Sequence, residues 1–264
     1  RAARRMWARI MKERFGAKKP RSMWMRMHVQ TSGATLTAQQ PVNNVIRVTI
    51  QCLAAVLGGA QSIHTNSFDE TLCLPTEEAV RVALRTQQII AYESGVADVV
   101  DPLGGSYFVE WLTDEVEERA WRYIDRIDSM GGMVRAIEKG YPQREVASAA
   151  YRYQRGVDTG EIPIVGVNCY EVPPEEDWVP IDPAWVVKRA KEYEERQLER
   201  LRRVKAERNQ AKVEERLDAL RRAAEKGENV FPYVLEAVKA YATLGEICGV
   251  LREVYGEWKE LIVF

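Results

Sequence analysis

Histidine and cysteine are scarce in this chain of 264 residues, which has two histidines and four cysteines. The cysteines, none of them in a Cys-x-x-Cys pair, are Cys52, Cys73, Cys169 and Cys248. This scatter predicts neither a zinc site nor a disulfide framework, and it fits a reducing cytoplasm, where we expect the protein. His28 and His64 have no second ligand at metal-binding spacing, so we predict no metal centre made by this chain alone.

Several other familiar signals are also missing. No apolar run approaches the roughly 20 residues that span a bilayer, and the net charge of -1 gives no general attraction to nucleic acid. Gly58-Gly59 and Gly104-Gly105 are too short for a dinucleotide or phosphate loop. Ser62 or Ser67 beside His64 is disfavoured as a hydrolase dyad, because neighbours in a strand point to opposite faces.

The two histidines do repeat one arrangement. Each follows a short apolar segment and precedes a polar turn, His64 lies 36 positions after His28, and Asp101 follows 37 positions later. One strand, one helix and two connections need about this length, so the spacing predicts consecutive βα units. We expect His28, His64 and Asp101 at the carboxyl ends of three parallel strands, where such folds place their chemistry. A partly buried histidine without function is the alternative for each.

The predicted helices lie between these strands. Pro41 opens an amphipathic pattern that stops at Gly58-Gly59. A second helix is capped by Thr76 and ends before Gly95, and a third starts near Thr113.

The first 26 residues hold ten Arg or Lys and one Glu, a bias that resembles a targeting peptide. We instead predict an amphipathic helix with a solvated basic face. Its apolar face would hold Met6, Trp7, Ile10 and Met11. A phosphate-bearing ligand at Lys18, Lys19 or Arg21 is an alternative. Because the chain starts without methionine and inside a helical pattern, we expect a piece of a longer protein.

The second half of the chain is predicted to be mainly helical after one extended stretch at 162–168. A proline-rich boundary follows, formed by Pro173, Pro174, Pro180 and Pro183. Residues 185–226 predict a helical pair packed against a core and interrupted at Asn209-Gln210, with a free coiled coil as the alternative. Two shorter helices are expected around 234–240 and 244–255.

Several motifs together resemble the large catalytic subunit of the cobalamin-dependent acyl-CoA mutases, of which methylmalonyl-CoA mutase is the type member. The motifs are QTSG (30–33) with LT (36–37), NN (43–44), GGAQSIHTNSFDE (58–70), LPT (74–76) and DPLGGSY (101–107). GGM (131–133) and IVGVN (164–168) extend the resemblance to essentially the whole chain.

The resemblance implies an α/β fold, namely the C-terminal part of a (β/α)8 TIM barrel followed by a mainly helical extension. The strands at His28, His64 and Asp101 would be the sixth, seventh and eighth. Residues 1–130 would form the second half of the acyl-CoA-binding barrel. Residues 131–180 would be flanking helices and an extended segment, and 181–264 would lead towards a cobalamin subunit.

The resemblance also implies site residues for adenosylcobalamin. The family position at Glu70 reaches the adenosyl group and the corrin face, and the one at Asn66 contacts adenosine. Positions matching Gln30, Gly33 and Cys73 lie against the corrin. No residue of this segment is assigned a catalytic role, because the cofactor carries the radical chemistry while the protein binds and positions.

Substrate contacts are implied for Gln61 and Ser62, which match positions near the acyl-CoA, with His28 as a weaker candidate. The implied reaction is isomerisation of (R)-methylmalonyl-CoA to succinyl-CoA. Isobutyryl-CoA and 2-hydroxyisobutyryl-CoA mutases share these motifs and stay as alternatives. Ala34, where many methylmalonyl-CoA mutases have Trp, favours the types with separate subunits, as does the rest of the segment 34–40.

The remaining implications concern partners. The Asp-x-His-x-x-Gly cobalamin signature is absent, so the cobalt ligand is expected from another chain, a cobalamin-binding small subunit. The N-terminal barrel half that grips the acyl group is a second expected partner. An open half-barrel exposes strand edges, which predicts an oligomer. A non-catalytic assembly fragment is the alternative from another functional class.

Overall fold

The computed structural model describes residues 1–173, 176–177 and 183–259, and for 183–189 it describes the backbone alone. Pro174 and Pro180 of the predicted boundary lie outside the described residues. Two compact units are formed, one by the described residues of Arg1–Pro183 and one by the described residues from Ala184 onwards. Most of the described chain is helical, with one small parallel sheet.

In its described residues the first unit contains seven helices and two strands, together with a π-helical turn at Ile10–Arg14 and a 3-10 turn at Gly33–Thr35. In chain order they are α1 (Ala2–Arg9), α2 (Pro20–Met23), β1 (His28–Gln30), α3 (Asn43–Leu57), β2 (Ser62–His64), α4 (Glu77–Glu93), α5 (Tyr107–Ser129), α6 (Met133–Glu138) and α7 (Tyr141–Asp158). Strands β1 and β2 are parallel, and α3 connects them. This is the βα repeat that the histidine spacing predicts.

Local sequence chemistry sets the limits of α3 and α4. Helix α3 starts two residues after Pro41 and ends immediately before Gly58. Thr76 caps α4 by accepting a hydrogen bond from the Ala79 amide, and Gly95 follows with a φ of +71°. These predictions are confirmed. The third helix, α5, begins at Tyr107 rather than near Thr113, because the 101–105 turn ends just before it.

The predicted third strand ending at Asp101 is wrong. Asp101 has a φ of +50°, outside the strand region, and its carbonyl accepts from the Gly104 amide in a turn. Val99 and Val100 are exposed, so no core face holds this segment extended. Within the described ranges, β1 and β2 are the strands of the sheet.

The extended stretch predicted at 162–168 is also wrong. Its residues form turns, with one isolated bridge between Val165 and Cys169. The Asn168 side chain accepts from the Ile164 amide at 2.7 Å and donates to the Ile162 carbonyl at 2.9 Å. A side chain therefore takes the bonds that a neighbouring strand would have made.

The predicted solvated basic face of α1 is corrected as well. Arg5 and Arg9 both pair with Glu117 of α5, whose side chain is only 7% exposed. Arg1 pairs with Asp101 and with Glu110. On the apolar face Met6 is buried, whereas Trp7 is exposed. Ion pairs between these arginines and the acidic residues on and before α5 thus hold α1 against α5.

The second unit is helical. It contains α8 (Pro183–Glu207), α9 (Gln210–Glu225), α10 (Phe231–Lys239) and α11 (Leu244–Tyr255). Its core consists of Leu220, Ala237, Ile247 and Val250. The predicted break at Asn209-Gln210 is confirmed, since the Asn209 side chain caps α9. Helix α9 packs against α10 and α11, whereas the described side chains of α8 are mostly exposed, so the packed-pair prediction holds for α9 only.

Candidate functional site

Strands β1 and β2 place four polar side chains on one face of the sheet. In register, His28 pairs with Ser62 and Gln30 pairs with His64. These four are exposed, while the central pair, Val29 and Ile63, is half-buried on the opposite face. His28 Nδ1 lies 2.7 Å from Ser62 Oγ. The two strands thus present two imidazoles, an amide and a hydroxyl together.

The structure corrects which residues end the strands. His64 ends β2 as predicted, but His28 begins β1, and Gln30 ends it. The Met27 amide donates to the Gln61 side chain at 2.9 Å rather than to a neighbouring strand, so pairing with β2 starts at His28 and runs to Gln30. The polar tip of β1 is therefore Gln30-Thr31.

Thr31 and Asn66 join the two loops that leave the strands. The Thr31 amide donates to the His64 carbonyl at 3.0 Å, and the Asn66 amide donates to Thr31 Oγ1 at 3.0 Å. Thr31 Oγ1 in turn donates to the Asn66 side-chain oxygen. Both residues are buried, at 5% and 2% exposure. Reciprocal buried hydrogen bonds of this kind fix the two loops against each other.

Glu70 and Gly33 lie on either side of this Asn66 amide. Asn66 Nδ2 donates to Glu70 Oε2, so a buried amide orients an exposed carboxylate. A Cβ atom at Gly33 would stand 3.3 Å from Asn66 Nδ2, which is tighter than most such contacts. The absence of a side chain at position 33 therefore leaves room for the amide. The structure brings together Gly33, Asn66 and Glu70 next to the end of β1 at Gln30.

Asn44 of α3 also contributes, although its place in the NN motif (43–44) predicts no particular role for it. This fully buried amide donates to the Thr37 carbonyl at 2.8 Å and to the Phe68 carbonyl at 2.9 Å, and it accepts from the Thr37 amide at 3.1 Å. It therefore ties the loop after β1 to the loop after β2. The available signal was an amide on the buried face of α3, in line with Val48 and Cys52.

Cys73 lies at the far end of the loop that carries Glu70. Its thiol is half-buried, and burial together with the nearby Asp69 carboxylate raises its pKa. The group is therefore a neutral thiol at physiological pH, suited to packing rather than to nucleophilic attack.

Gln61 is separated from this cluster, because it precedes β2 and lies at the amino ends of the strands. It lines a cavity of about 670 Å³. The charged residues of that cavity are Arg1, Arg4, Arg5, Arg26, Asp101 and Glu110. Arg1 and Arg5 are paired with carboxylates, so the positive charge of the cavity comes from Arg4 and Arg26, which favours an anionic ligand.

In the part of the chain that the structure describes, no group of three or more His, Cys, Asp or Glu side chains is placed to hold a metal ion. Across the same residues, no helix combines the length and apolar character needed to cross a bilayer.

Comparison with known proteins gives one consistent result. Residues 1–257 match the family model described as methylmalonyl-CoA mutase. The chain is 47% identical to the 2-hydroxyisobutanoyl-CoA mutase large subunit of Aquincola tertiaricarbonis, over 100% of this chain and 46% of that protein. It is 44% identical to methylmalonyl-CoA mutase of Rhizobium meliloti, over 98% and 36%, and 43% identical to the human mitochondrial enzyme, over 98% and 34%. The chain thus spans between a third and a half of the length of these relatives.

Proposed function

The chain belongs to the methylmalonyl-CoA mutase family, and on that premise we propose that it is part of the catalytic subunit of an adenosylcobalamin-dependent acyl-CoA mutase. The proposed reaction is the radical isomerisation of (R)-methylmalonyl-CoA to succinyl-CoA. The observation that carries the proposal is the linked set Thr31, Asn66 and Glu70, in which buried donors orient one exposed carboxylate beside the end of β1.

For the fold, we propose that β1 and β2 are consecutive strands of a (β/α)8 barrel, the sixth and seventh. Their parallel pairing through α3 and the packing of α3 against α4 support this assignment. The N-terminal barrel half would complete the sheet and cover the exposed Ile46 and Ile50 of α3. The division into 1–130, 131–180 and 181–264 belongs to the same proposal.

The residues present suit adenosylcobalamin. Glu70 can accept hydrogen bonds from ribose hydroxyls, Asn66 fixes that carboxylate, and Gln30 offers a neutral amide. Gly33 and the neutral Cys73 thiol would lie against the corrin, where bulk or charge would interfere. When bound, the cofactor supplies the radical chemistry, which leaves this chain to hold the adenosine and exclude water. The cobalt ligand would come from a cobalamin-binding small subunit.

On the substrate side, we propose that the acyl-CoA runs along the barrel axis past Ser62, Gln61 and His28. Ser62 and His28 lie on the exposed sheet face, and Gln61 lines the cationic cavity. Phosphate groups of coenzyme A suit guanidinium donors such as Arg4 and Arg26. The chain would thereby contact both ends of the ligand, the acyl group near the strands and the phosphates at the amino end.

A second substrate, 2-hydroxyisobutyryl-CoA, is favoured by one specific observation. The relative that is 47% identical is named for that mutase and for its large subunit, which also supports a separate small subunit here. Isobutyryl-CoA is a further alternative. We place the protein in the cytoplasm, although mitochondrial relatives exist.

The test assembles the full-length protein with a cobalamin-binding subunit and adenosylcobalamin, then supplies the three acyl-CoA substrates separately. We expect conversion of methylmalonyl-CoA to succinyl-CoA, measured by chromatography of the thioesters. Faster turnover of 2-hydroxyisobutyryl-CoA would select the second candidate. An assembly with full cobalamin occupancy that converts none of the three would contradict the enzymatic proposal and favour a non-catalytic assembly fragment.

A further inference from the structure

Asp69 is a fully buried carboxylate to which the proposed function gives no task. Its Oδ2 atom accepts from the Thr76 amide at 2.9 Å and from the Thr76 hydroxyl at 2.8 Å. Its main-chain carbonyl accepts from the Leu72 amide at 2.8 Å and the Cys73 amide at 3.0 Å. Among the described residues, its Oδ1 atom has no partner. One oxygen therefore makes both side-chain hydrogen bonds.

Asp69 immediately precedes Glu70. The exposed Glu70 is therefore flanked by Asn66, which contacts its side chain, and by Asp69, which anchors its main chain. On the first side, Asn66 is held by Thr31 and contacts Glu70 directly. On the second side, Asp69 is held by Thr76, the cap of α4. The 17-residue helix α4 makes this second attachment rigid. Two buried, hydrogen-bonded residues, Asn66 and Asp69, thus fix the position of Glu70.

We propose that Asp69 is a positioning residue, which holds the 69–73 turn so that the Glu70 carboxylate faces the adenosyl group. This inference rests on the proposed function, because it assigns Glu70 to the adenosine. Removing the Asp69 carboxylate releases the turn from Thr76, and Glu70 then loses orientation although its own side chain is unchanged. Positioning of this kind depends on supporting hydrogen bonds beneath the residue that makes the contact.

A merely structural role would give a different result from a positioning role. A general loss of stability would weaken binding of every cobalamin alike. Loss of Glu70 orientation would weaken only the binding of a cobalamin that carries the adenosyl group. The ratio of dissociation constants for cyanocobalamin and adenosylcobalamin therefore separates the two roles.

The experiment measures that ratio by spectroscopic titration of the full-length protein assembled with its cobalamin-binding subunit. In Asp69→Ala we expect the preference for adenosylcobalamin to fall about tenfold, the scale of lost hydrogen bonds to a charged group. Asp69→Asn should keep the preference, because its amide oxygen can accept both bonds from Thr76. Adding Asp69→Ala to Glu70→Gln should cost nothing further, because both act through one contact.

Two results would overturn the inference. One is an equal change in affinity for both cobalamins in Asp69→Ala. The other is a further loss of preference for adenosylcobalamin when Asp69→Ala is added to Glu70→Gln. Should Asp69→Ala fail to fold, Thr76→Val removes the hydroxyl bond and keeps the amide bond, and we expect about a threefold loss of preference, with Thr76→Ser as the unaffected control.

The same titration distinguishes a wrong role for Asp69 from a wrong proposed function. A parent protein without any preference for the adenosyl form contradicts the proposed function, and the role of Asp69 falls with it. A parent protein with the preference and an Asp69→Ala variant that fully retains it contradicts the inference alone.

Discussion

The ends of β1 and β2 and the helical unit α9–α11 are stabilised by different kinds of buried group. Around the strand ends the buried residues include Thr31, Asn44, Asn66 and Asp69. In the helical unit the core residues are Leu220, Ala237, Ile247 and Val250. Hydrogen bonds are directional and fix atoms in position, whereas apolar burial is non-directional and mainly supplies stability. The difference indicates that the first region is built for geometry and the second for folding.

The strongest test of this comparison is Glu70→Ala in the assembled enzyme. We expect kcat to fall about a thousandfold, the upper range for one electrostatic contact in an active site, with KM for the acyl-CoA changed only severalfold. The free energy of unfolding should fall by only about 1 kcal/mol, because Glu70 is exposed and its loss removes one acceptor, that of Asn66 Nδ2. Steady-state kinetics and thermal denaturation measure both quantities. Glu93→Ala, an exposed glutamate at the end of α4, is the matched control, and equal losses in kcat and acyl-CoA affinity would count against the role.

The second test concerns the apolar core of the helical unit, where we expect a substitution to reduce stability without affecting cofactor binding. Leu220 is fully buried, so Leu220→Ala should reduce the free energy of unfolding by about 3 kcal/mol. Binding of adenosylcobalamin by the folded assembly should stay unchanged. Leu198→Ala on α8, where the side chain is 41% exposed, is the control and should cost less than about 0.5 kcal/mol in urea denaturation. Similar losses for both leucines would remove the distinction between core and surface.

The two regions also differ in how far the sequence predicts them. Helix limits were predictable at Gly58-Gly59, where Gly59 is left-handed, and at the caps Thr76 and Asn209, because such signals depend on a few neighbouring residues. The strand ending at Asp101 was not, because an apolar stretch becomes a strand only when another strand pairs with it and a core covers it. Val99 and Val100 have neither in the described structure.

In the candidate site, too, local motifs were predictable and tertiary contacts were not. Gln30, Gly33, Asn66 and Glu70 were predicted from the family motifs, and the structure places Gln30 at the end of β1 and the other three on adjoining loops. Their roles towards the cofactor stay predictions. Local sequence marks Asn44 as an amide in line with the buried Val48 and Cys52, but it does not identify the partners Thr37 and Phe68, because the loops concerned meet only after α3 has packed. Buried amides between loops depend on tertiary structure and escape local pattern analysis.

The smallest expected effect concerns the ion pair between Arg208 and Glu246 in the helical unit. Glu246 accepts two hydrogen bonds from the Arg208 guanidinium, at 2.6 and 2.8 Å, and further bonds from Thr243, which together with Glu246 caps α11. The Arg208 hydrogen bonds, assisted by Thr243, lower the pKa of Glu246 from 4.5 to about 2. The contact therefore stabilises the folded state fully above pH 4.5, and this contribution is lost as the pH falls towards 2.

We expect that loss to be about 1 kcal/mol of unfolding free energy, measured as the urea midpoint between pH 6 and pH 3. Glu246→Gln should remove this part of the pH dependence, because the amide does not titrate. Glu253→Gln, which affects the more exposed pair with Arg221, is the matched control and should leave the Glu246 contribution in place. An unchanged pH dependence in Glu246→Gln would mean that the helical unit depends on its apolar core alone, which would sharpen the contrast with the strand ends.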